Sequence, residues 1–217
     1  MIRGGPCQST PTPIVPSTHS MTTKTILCIR HGESTFNRAW RATPVDPLHF
    51  DAPLSEDGHE QVRQARPAVA ALPVEIVIVS PLTRALQTAV GLFDGHPHAP
   101  PMLVAHLARE RVENSCDVGR PPAQLAADFP MLDVAHLDDV WWHAEGEADE
   151  RGICVEPLEA VDARVARFRA FLLERPERVI AVVAHGTFFF HLTGRHLANC
   201  EVATIELDAR RNGVRVD

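Results

Sequence analysis

The chain lacks the features that mark several special classes of protein. No stretch of its 217 residues approaches the run of about 18 apolar residues that a membrane-spanning helix needs. No basic run is present and the formal net charge is −7, whereas a nucleic-acid-binding protein gains most of its affinity from cations on phosphates. With 45% apolar and 23% charged residues, the composition is that of an ordinary globular domain. We therefore expect one compact domain that contacts neither membrane nor nucleic acid.

Lysine, tyrosine and cysteine are scarce. There is one lysine against 20 arginines, and there is no tyrosine. The five cysteines are widely spaced and form no Cys-x-x-Cys pair: Cys7, Cys28, Cys116, Cys154 and Cys200. This argues against a disulfide framework or a zinc site and indicates a reducing cytoplasm. Residues 1–20 are rich in proline, serine and threonine and lack the apolar core of a secretory signal. We expect residues 1–21 to be a mobile tail and residues 22–217 to be the domain.

The pattern of apolar residues predicts an α/β fold. Continuous apolar runs typical of buried strands, the last of them weaker, lie at 25–29, 74–79, 179–184 and 102–105. Helical patterns lie at 59–72, 82–93, 158–172 and 188–197. Strands that alternate with helices indicate three layers, a mostly parallel central sheet with helices on both faces. The Pro- and Asp-rich segment 111–152 is predicted to be an irregular insertion over one end of the sheet. The runs 203–207 and 213–216 are candidates for edge strands.

Polar side chains follow the predicted strands. Arg30 and His31 come directly after the first strand and His185 after the third, while Arg84 falls in the first turn of the helix that follows the second. Glu110 comes shortly after the weaker strand. Because the carboxyl ends of parallel strands meet at one edge of a sheet, we expect these residues to form one site. A cation near a helix N-terminus is unfavourable, so an anion between the helix start and Arg84 would remove that conflict. The free amides of the helix after His185 also favour an anion.

These residue types suit phosphoryl transfer. Arginines neutralise the equatorial oxygens of the transferred group, and a neutral imidazole is a competent nucleophile toward phosphorus. A carboxylic acid can protonate the departing oxygen. Two arginines, two histidines and one carboxylate supply these parts without a metal ion.

Five sequence blocks resemble the histidine phosphatase superfamily, the relatives of cofactor-dependent phosphoglycerate mutase. They are IRHGESTFN (29–37), LSEDGHEQ (54–61), SPLTRALQTA (80–89), LARER (107–111) and VVAHGTF (182–188). They occur in the order of the family and extend over about residues 22–197. The three-layer fold inferred from the strands and helices agrees with the α/β fold that this resemblance implies.

The resemblance implies a role for each site residue. His31 is the nucleophile that becomes phosphohistidine, and Glu110 is the general acid and then the base that activates water. The transferred phosphoryl group is bound by five residues: Arg30, Asn37, Arg84, His185 and the amide of Gly186. The resemblance implies no cofactor and no metal, and a small phosphorylated substrate.

The residues after Glu110 favour a phosphatase over a mutase. In the mutases of the family, the acid is typically followed by Arg, one further residue and Tyr. Here Glu110 is followed by Arg111, Val112 and Glu113, and the chain has no tyrosine. Glu113 would repel the second phosphate of a bisphosphorylated intermediate by about 1 to 4 kcal/mol at contact range. Arg111 and Arg120 could still bind an anionic substrate tail, so mutase activity stays the alternative.

Three other functions fit the sequence less well. A serine hydrolase needs Gly-x-Ser-x-Gly, but Gly32-Glu33-Ser34 is followed by Phe at position 36. A metal-dependent phosphoesterase needs histidines spaced so that they can share a metal ion. His96, His98, His191 and His196 do not have such a spacing. A non-catalytic phosphate-binding protein would not need all of the nucleophile, the arginines, the second histidine and the acid. We expect a monomer or a homodimer.

Several residues have a structural interpretation. Trp141 and Trp142 are predicted to pack the insertion onto the sheet rather than to cap the pocket. The run 188–190, three phenylalanines, is predicted to be core, and Cys28 to be a small buried apolar residue. Glu113 is the alternative to Glu110 as the acid.

Overall fold

The computed structural model of the protein describes residues 23–208 and the backbone of residues 214–216. The predicted tail, residues 1–21, lies outside the described residues. The strands are β1 Lys24–Arg30, β2 Ile76–Val79, β3 Met102–Val104, β4 Val179–Ala184, β5 Val202–Leu207 and β6 Val214–Val216. The helices are α1 Thr35–Ala42, α2 Glu56–Ala70, α3 Thr83–Phe93, α4 Pro122–Asp128, α5 Leu158–Glu174 and α6 Gly186–Thr193, with short 3₁₀ helices at His106–Ala108 and Ser115–Asp117.

The strands form one mixed sheet in the order β3-β2-β4-β1-β5-β6. The four strands β3, β2, β4 and β1 are parallel, and β5 and β6 are antiparallel to their neighbours. Both faces are covered, so the three-layer α/β prediction is confirmed. The carboxyl ends of β1, β2, β3 and β4 therefore lie at the same edge of the sheet.

Alternate residues of each central strand enter different cores, as the two-residue period of a strand requires. Leu27, Val77 and Val183 pack with α2, α3 and the segment after residue 120. Cys28, Ile78 and their neighbours pack with α5 and α6. Because both faces are buried, these strands appear in the sequence as continuous apolar runs.

The segment 111–152 contains one 3₁₀ helix and α4, and is otherwise irregular. Trp141 is 4% exposed, belongs to the core on the α2 and α3 face, and donates a hydrogen bond from Nε1 to the Arg120 carbonyl at 2.9 Å. Trp142 packs against the same core. The packing role predicted for the two tryptophans is confirmed.

Two details of the predicted elements were wrong. The last predicted helix, 188–197, is α6 and ends at Thr193, because Gly194 takes a left-handed conformation with φ 76° and stops it. Of the three phenylalanines, Phe188 and Phe189 are buried, but Phe190 is 41% exposed and stacks on His196. Cys28 is fully buried, as predicted. Among the described residues, no helix is both long and apolar enough to cross a membrane.

Candidate active site

His31 stands at the carboxyl edge of the sheet, directly after β1, and is 3% exposed. Its Nδ1 lies 2.6 Å from the Gly32 carbonyl oxygen. A carbonyl can only accept, so Nδ1 carries the proton of the neutral ring and Nε2 keeps its lone pair. Burial, and then the charges of Arg84 and Arg30, lower the pKa of His31 well below its usual value. The ring is therefore neutral at pH 7 and Nε2 is a nucleophile.

A close backbone crossing holds the loop after His31. A Cβ on Gly32 would lie 2.7 Å from the Gly58 carbonyl oxygen, and a Cβ on Gly58 would lie 2.0 Å from the Glu33 carbonyl oxygen. Ser55 Oγ accepts from the Gly58 amide at 3.0 Å and donates to Glu33 Oε1 at 2.7 Å. The block 54–61 therefore contributes to the site by supporting the loop that carries His31.

Arg84, in the first turn of α3, contacts the nucleophile. Its Nε donates to His31 Nε2 at 3.2 Å, its Nη2 to Asp117 Oδ1 at 2.9 Å and its Nη1 to the Cys116 carbonyl at 2.5 Å. Burial raises the pKa of Asp117 to about 6, although Arg84 favours its charged form. The negative charge beside Arg84 is therefore supplied by the insertion.

Asp51 completes the start of α3 and was missed by sequence reasoning, as was Asp117. Asp51 Oδ1 accepts from the Thr83 amide at 2.8 Å, and Asp51 Oδ2 accepts from Arg120 Nε at 2.7 Å. Arg120 also pairs with Asp128. Both aspartates lie in segments without periodicity, so no local pattern marks them.

Two buried nitrogens beside His31 have no hydrogen-bond partner within the described part of the chain. They are Arg30 Nε and His185 Nδ1; a third, Arg109 Nε, belongs to a different cluster. The His185 ring centroid is 5.1 Å from that of His31, and its Nε2 is 2.7 Å from Ser80 Oγ. Burial and Arg84 lower the pKa of His185 well below its usual value. Since buried polar groups are normally paired, this is a place for an oxygen-rich ligand.

Glu110 reaches the site from the loop after β3. Its Oε2 accepts from the Thr187 amide at 3.0 Å, and its Oε1 accepts from the Phe188 amide at 2.9 Å and from the Arg111 amide at 2.9 Å. The carboxylate thus occupies the N-terminus of α6, where the helix favours negative charge. Of the amides at the start of this helix that the sequence offered to a ligand, those of Thr187 and Phe188 are bonded to Glu110. Glu113 is exposed and pairs with Arg111.

A buried ion pair fixes the loop that carries Glu110. Arg164 of α5 is fully buried and donates to the carbonyls of Leu107 and Arg109 at 3.0 and 2.7 Å. It also donates to both carboxylate oxygens of Glu156 at 3.1 and 2.9 Å. Arg109 donates to the same carboxylate at 2.8 Å. Glu110 is therefore held between α5 and α6.

Replacing Arg164 by lysine should lower the free energy of unfolding by about 2 kcal/mol, because an ammonium cannot reproduce the planar fork that bonds Glu156 and two carbonyls. The exposed Arg167→Lys on the same helix is the matched control and should change stability by less than about 0.5 kcal/mol. Urea unfolding of both variants measures the difference. Equal stabilities would show that the buried fork is not required.

A cavity of about 110 Å³ joins the candidate residues. Arg30, His31, Asn37, Arg84 and Glu110 line it, together with Phe36, Arg111, Glu113, Asn114, Cys116, Asp117 and Thr187. Asn37 Oδ1 accepts from the Ser34 amide in the capping box of α1, so its amide nitrogen is the part that can donate to a ligand. His185 is not among these lining residues, and its ring lies beside that of His31. Gly186 packs against Arg30, whose Cζ would lie 3.4 Å from a Cβ at that glycine.

All seven predicted site residues thus lie at one end of the sheet, five of them on the cavity wall, while His185 contacts His31 and Gly186 contacts Arg30. Within residues 23–208 no group of three or more His, Cys, Asp or Glu side chains is arranged to hold a metal ion.

Comparisons with known proteins point to one family. The family model described as histidine phosphatase superfamily (branch 1) matches residues 26–213. A "phosphoglycerate mutase-like protein" of Arabidopsis thaliana is 29% identical, over 87% of this chain and 86% of its own length. A glucosyl-3-phosphoglycerate phosphatase of Mycolicibacterium vanbaalenii is 26% identical, over 80% of this chain and 74% of its own. Among solved structures, "Mycobacterial hydrolase 1" superposes with a TM-score of 0.61 at 21% identity, covering 90% of this chain and 97% of that one, which shows a shared fold.

Proposed function

The chain belongs to the histidine phosphatase superfamily (branch 1), and on that premise we propose that it is a phosphatase which hydrolyses small phosphomonoesters through a phosphohistidine on His31, without a metal ion. The observation that carries the proposal is a buried, neutral His31 that lines the cavity with Arg30 and Arg84, and whose unprotonated Nε2 accepts a hydrogen bond from Arg84 Nε. Relatives named as a phosphatase and as a mutase-like protein support an enzyme of phosphoryl transfer.

In the first half-reaction, His31 Nε2 gives up the hydrogen bond from Arg84 Nε and attacks phosphorus in line with the leaving oxygen. The N–P bond forms as the P–O bond breaks, and the protonated Glu110 carboxyl gives its proton to the leaving oxygen. Arg84 and Arg30 lie where negative charge gathers on the equatorial oxygens. The unpartnered nitrogens of Arg30 and His185 gain partners when those oxygens arrive. The product is a free alcohol and phosphohistidine.

In the second half-reaction, the Glu110 carboxylate takes a proton from water. The water oxygen attacks phosphorus, the N–P bond breaks, and inorganic phosphate leaves with Glu110 protonated again. The same carboxyl group thus acts first as an acid and then as a base. The backbone amides of Thr187, Phe188 and Arg111 hold this carboxyl group at the start of α6.

The charges around the cavity favour hydrolysis over a mutase reaction. Arg111 lines the cavity but is paired with Glu113, and Arg120 is paired with Asp51 and Asp128. These are the two cations that the sequence offered for a second anionic group, and Arg41 of the adjoining groove is likewise paired, with Glu33. Because Arg111 and Arg120 are paired with carboxylates, the second phosphate of a bisphosphorylated intermediate would gain little from either of them.

The proposal is tested by incubating the purified chain with a panel of phosphomonoesters, 3-phosphoglycerate included, in excess EDTA. We expect release of inorganic phosphate from at least one ester, and no conversion of 3-phosphoglycerate to 2-phosphoglycerate. Isomerisation without phosphate release would identify a mutase. Phosphate release that EDTA abolishes would contradict the metal-free reaction, and inactivity on every ester would favour a binding protein.

Three further expectations from the sequence stay proposals: a cytoplasmic location, a reaction without a cofactor, and a chain that is a monomer or a homodimer.

A further inference from the structure

The cavity that contains His31 is the smallest of three adjoining spaces. It measures about 110 Å³, against about 470 Å³ and 760 Å³ for the two beside it. In the proposed reaction it receives the phosphoryl group and the attacking water. A substrate with a long alcohol part would therefore place that part on the surface that continues from the cavity.

Such a surface begins at the mouth of the cavity. A groove of about 470 Å³ shares Arg30, Phe36, Asn37 and Asn114 with the cavity, and extends to Trp40. Trp40 stacks on Phe36, with ring centroids 5.7 Å apart and ring planes 17° apart. Trp40 is nevertheless 41% exposed. An indole held against a buried ring while it remains exposed to solvent is a fixed apolar platform.

Trp40 also lines a second space of about 760 Å³, which adjoins the groove at this residue. Trp40, Val45 and Leu48 line it, and the two aliphatic residues are 67% and 53% exposed. Exposed apolar residues that are scattered singly need no explanation, but a contiguous patch continuous with a catalytic cavity marks a ligand-binding surface.

The charges of this second space disfavour an anionic leaving group. Asp46, Asp149, Glu150 and Arg151 line it, which are three carboxylates against one guanidinium. Arg151 is already paired with Asp46 and Asp149. A second phosphate or a carboxylate on the leaving group would meet a net negative wall here.

We propose that the groove and the second space together bind the leaving group of the substrate over Trp40, Val45 and Leu48. This leaving group is an alkyl or aryl alcohol with an extended apolar part and no second anionic group. This inference rests on the proposed phosphatase activity. The inference therefore excludes bisphosphates and phosphorylated acids as preferred substrates.

The test measures kcat/KM for ethyl, butyl and hexyl phosphate, whose leaving oxygens are equally basic, with 3-phosphoglycerate as the anionic comparison. Each methylene that leaves water in the groove should raise kcat/KM about twofold to fourfold, so hexyl phosphate should exceed ethyl phosphate by at least tenfold. Hexyl phosphate should also exceed 3-phosphoglycerate. Trp40→Ala and Val45→Asp should each flatten the dependence on chain length. Met131→Asp, a change at an equally exposed apolar residue that lines none of the three spaces, should preserve it.

The outcomes separate the two proposals. Hydrolysis that is independent of chain length, or fastest with 3-phosphoglycerate, overturns the inference while the phosphatase stands. Absence of hydrolysis of every ester overturns the phosphatase itself. If Trp40→Ala and Val45→Asp both keep the preference of the wild type for hexyl phosphate, the apolar contact lies elsewhere. That result also overturns the inference. Val45 is exposed in a loop, so its variant tests the groove even where loss of the Trp40–Phe36 stack prevents folding.

Discussion

His31→Ala should lower kcat/KM for every phosphomonoester by about 10⁴-fold or more. His31 forms the covalent intermediate, so its removal eliminates the whole reaction path. The effect is therefore larger than the loss of a single binding contact. Arg30, Arg84 and His185 would still bind phosphate in the variant, so we expect a KM or an inhibition constant for phosphate that changes far less than kcat. Steady-state assays of phosphate release, with phosphate as a competitive inhibitor, measure both quantities.

The matched control is His59→Ala, an exposed histidine on α2. It should have wild-type activity, which excludes a general effect of losing one imidazole. A His31→Ala protein that folds, binds phosphate and retains more than about one tenth of the activity would show that another group attacks phosphorus.

Glu110→Gln should slow alkyl phosphate hydrolysis by about 10²- to 10⁴-fold, because the variant has no proton to give to a basic leaving oxygen. A nitrophenyl ester behaves differently, since nitrophenolate leaves without protonation. With that ester the variant should still phosphorylate His31 and release a burst of nitrophenolate. The second step then stalls, because no carboxylate takes the proton of the attacking water. Rapid-mixing absorbance measurements detect the burst.

Glu113→Gln is the control for this prediction. Glu113 lies three residues further on, is exposed and pairs with Arg111, whereas Glu110 is bonded to the start of α6. The ratio of alkyl to nitrophenyl ester hydrolysis should stay at its wild-type value in Glu113→Gln. If Glu113→Gln shows the burst and Glu110→Gln does not, the roles of the two carboxylates are exchanged.

The central part of the fold could be predicted from the sequence because its signal is local. β1, β2 and β4 are buried on both faces, so nearly every residue in them is apolar, and such runs stand out. The parallel order then brings Arg30, His31, Arg84, Glu110 and His185 to one edge, since chain direction alone determines where the ends lie.

The partners of those residues could not be predicted in the same way. Asp117 pairs with Arg84, and Arg164 donates to the carbonyls of Leu107 and Arg109, through contacts between segments that are distant along the chain and carry no shared pattern. A carboxylate in an irregular segment gives no sign of which arginine it will meet. For the same reason, the sequence indicated an external anion beside Arg84 but not that Asp117 would lie there as well.

The groove over Trp40 was equally absent from the sequence analysis. α1 is short, and its local signal is the Ser34–Asn37 capping box, which predicts where a helix begins but not which surface it presents. The apolar residues after it, Val45 and Leu48, lie in a loop without periodicity. Their significance depends on their being next to the cavity, which is a property of the tertiary structure.

The most direct test of the account is to trap the phosphorylated protein. Glu110→Gln is mixed with a ³²P-labelled nitrophenyl ester and quenched in alkali, in which phosphohistidine is stable, and the labelled residue is mapped by mass spectrometry. The account predicts one phosphoryl group per chain, on His31, released by acid. Label on any other residue, or turnover with no labelled protein at any time, would contradict it.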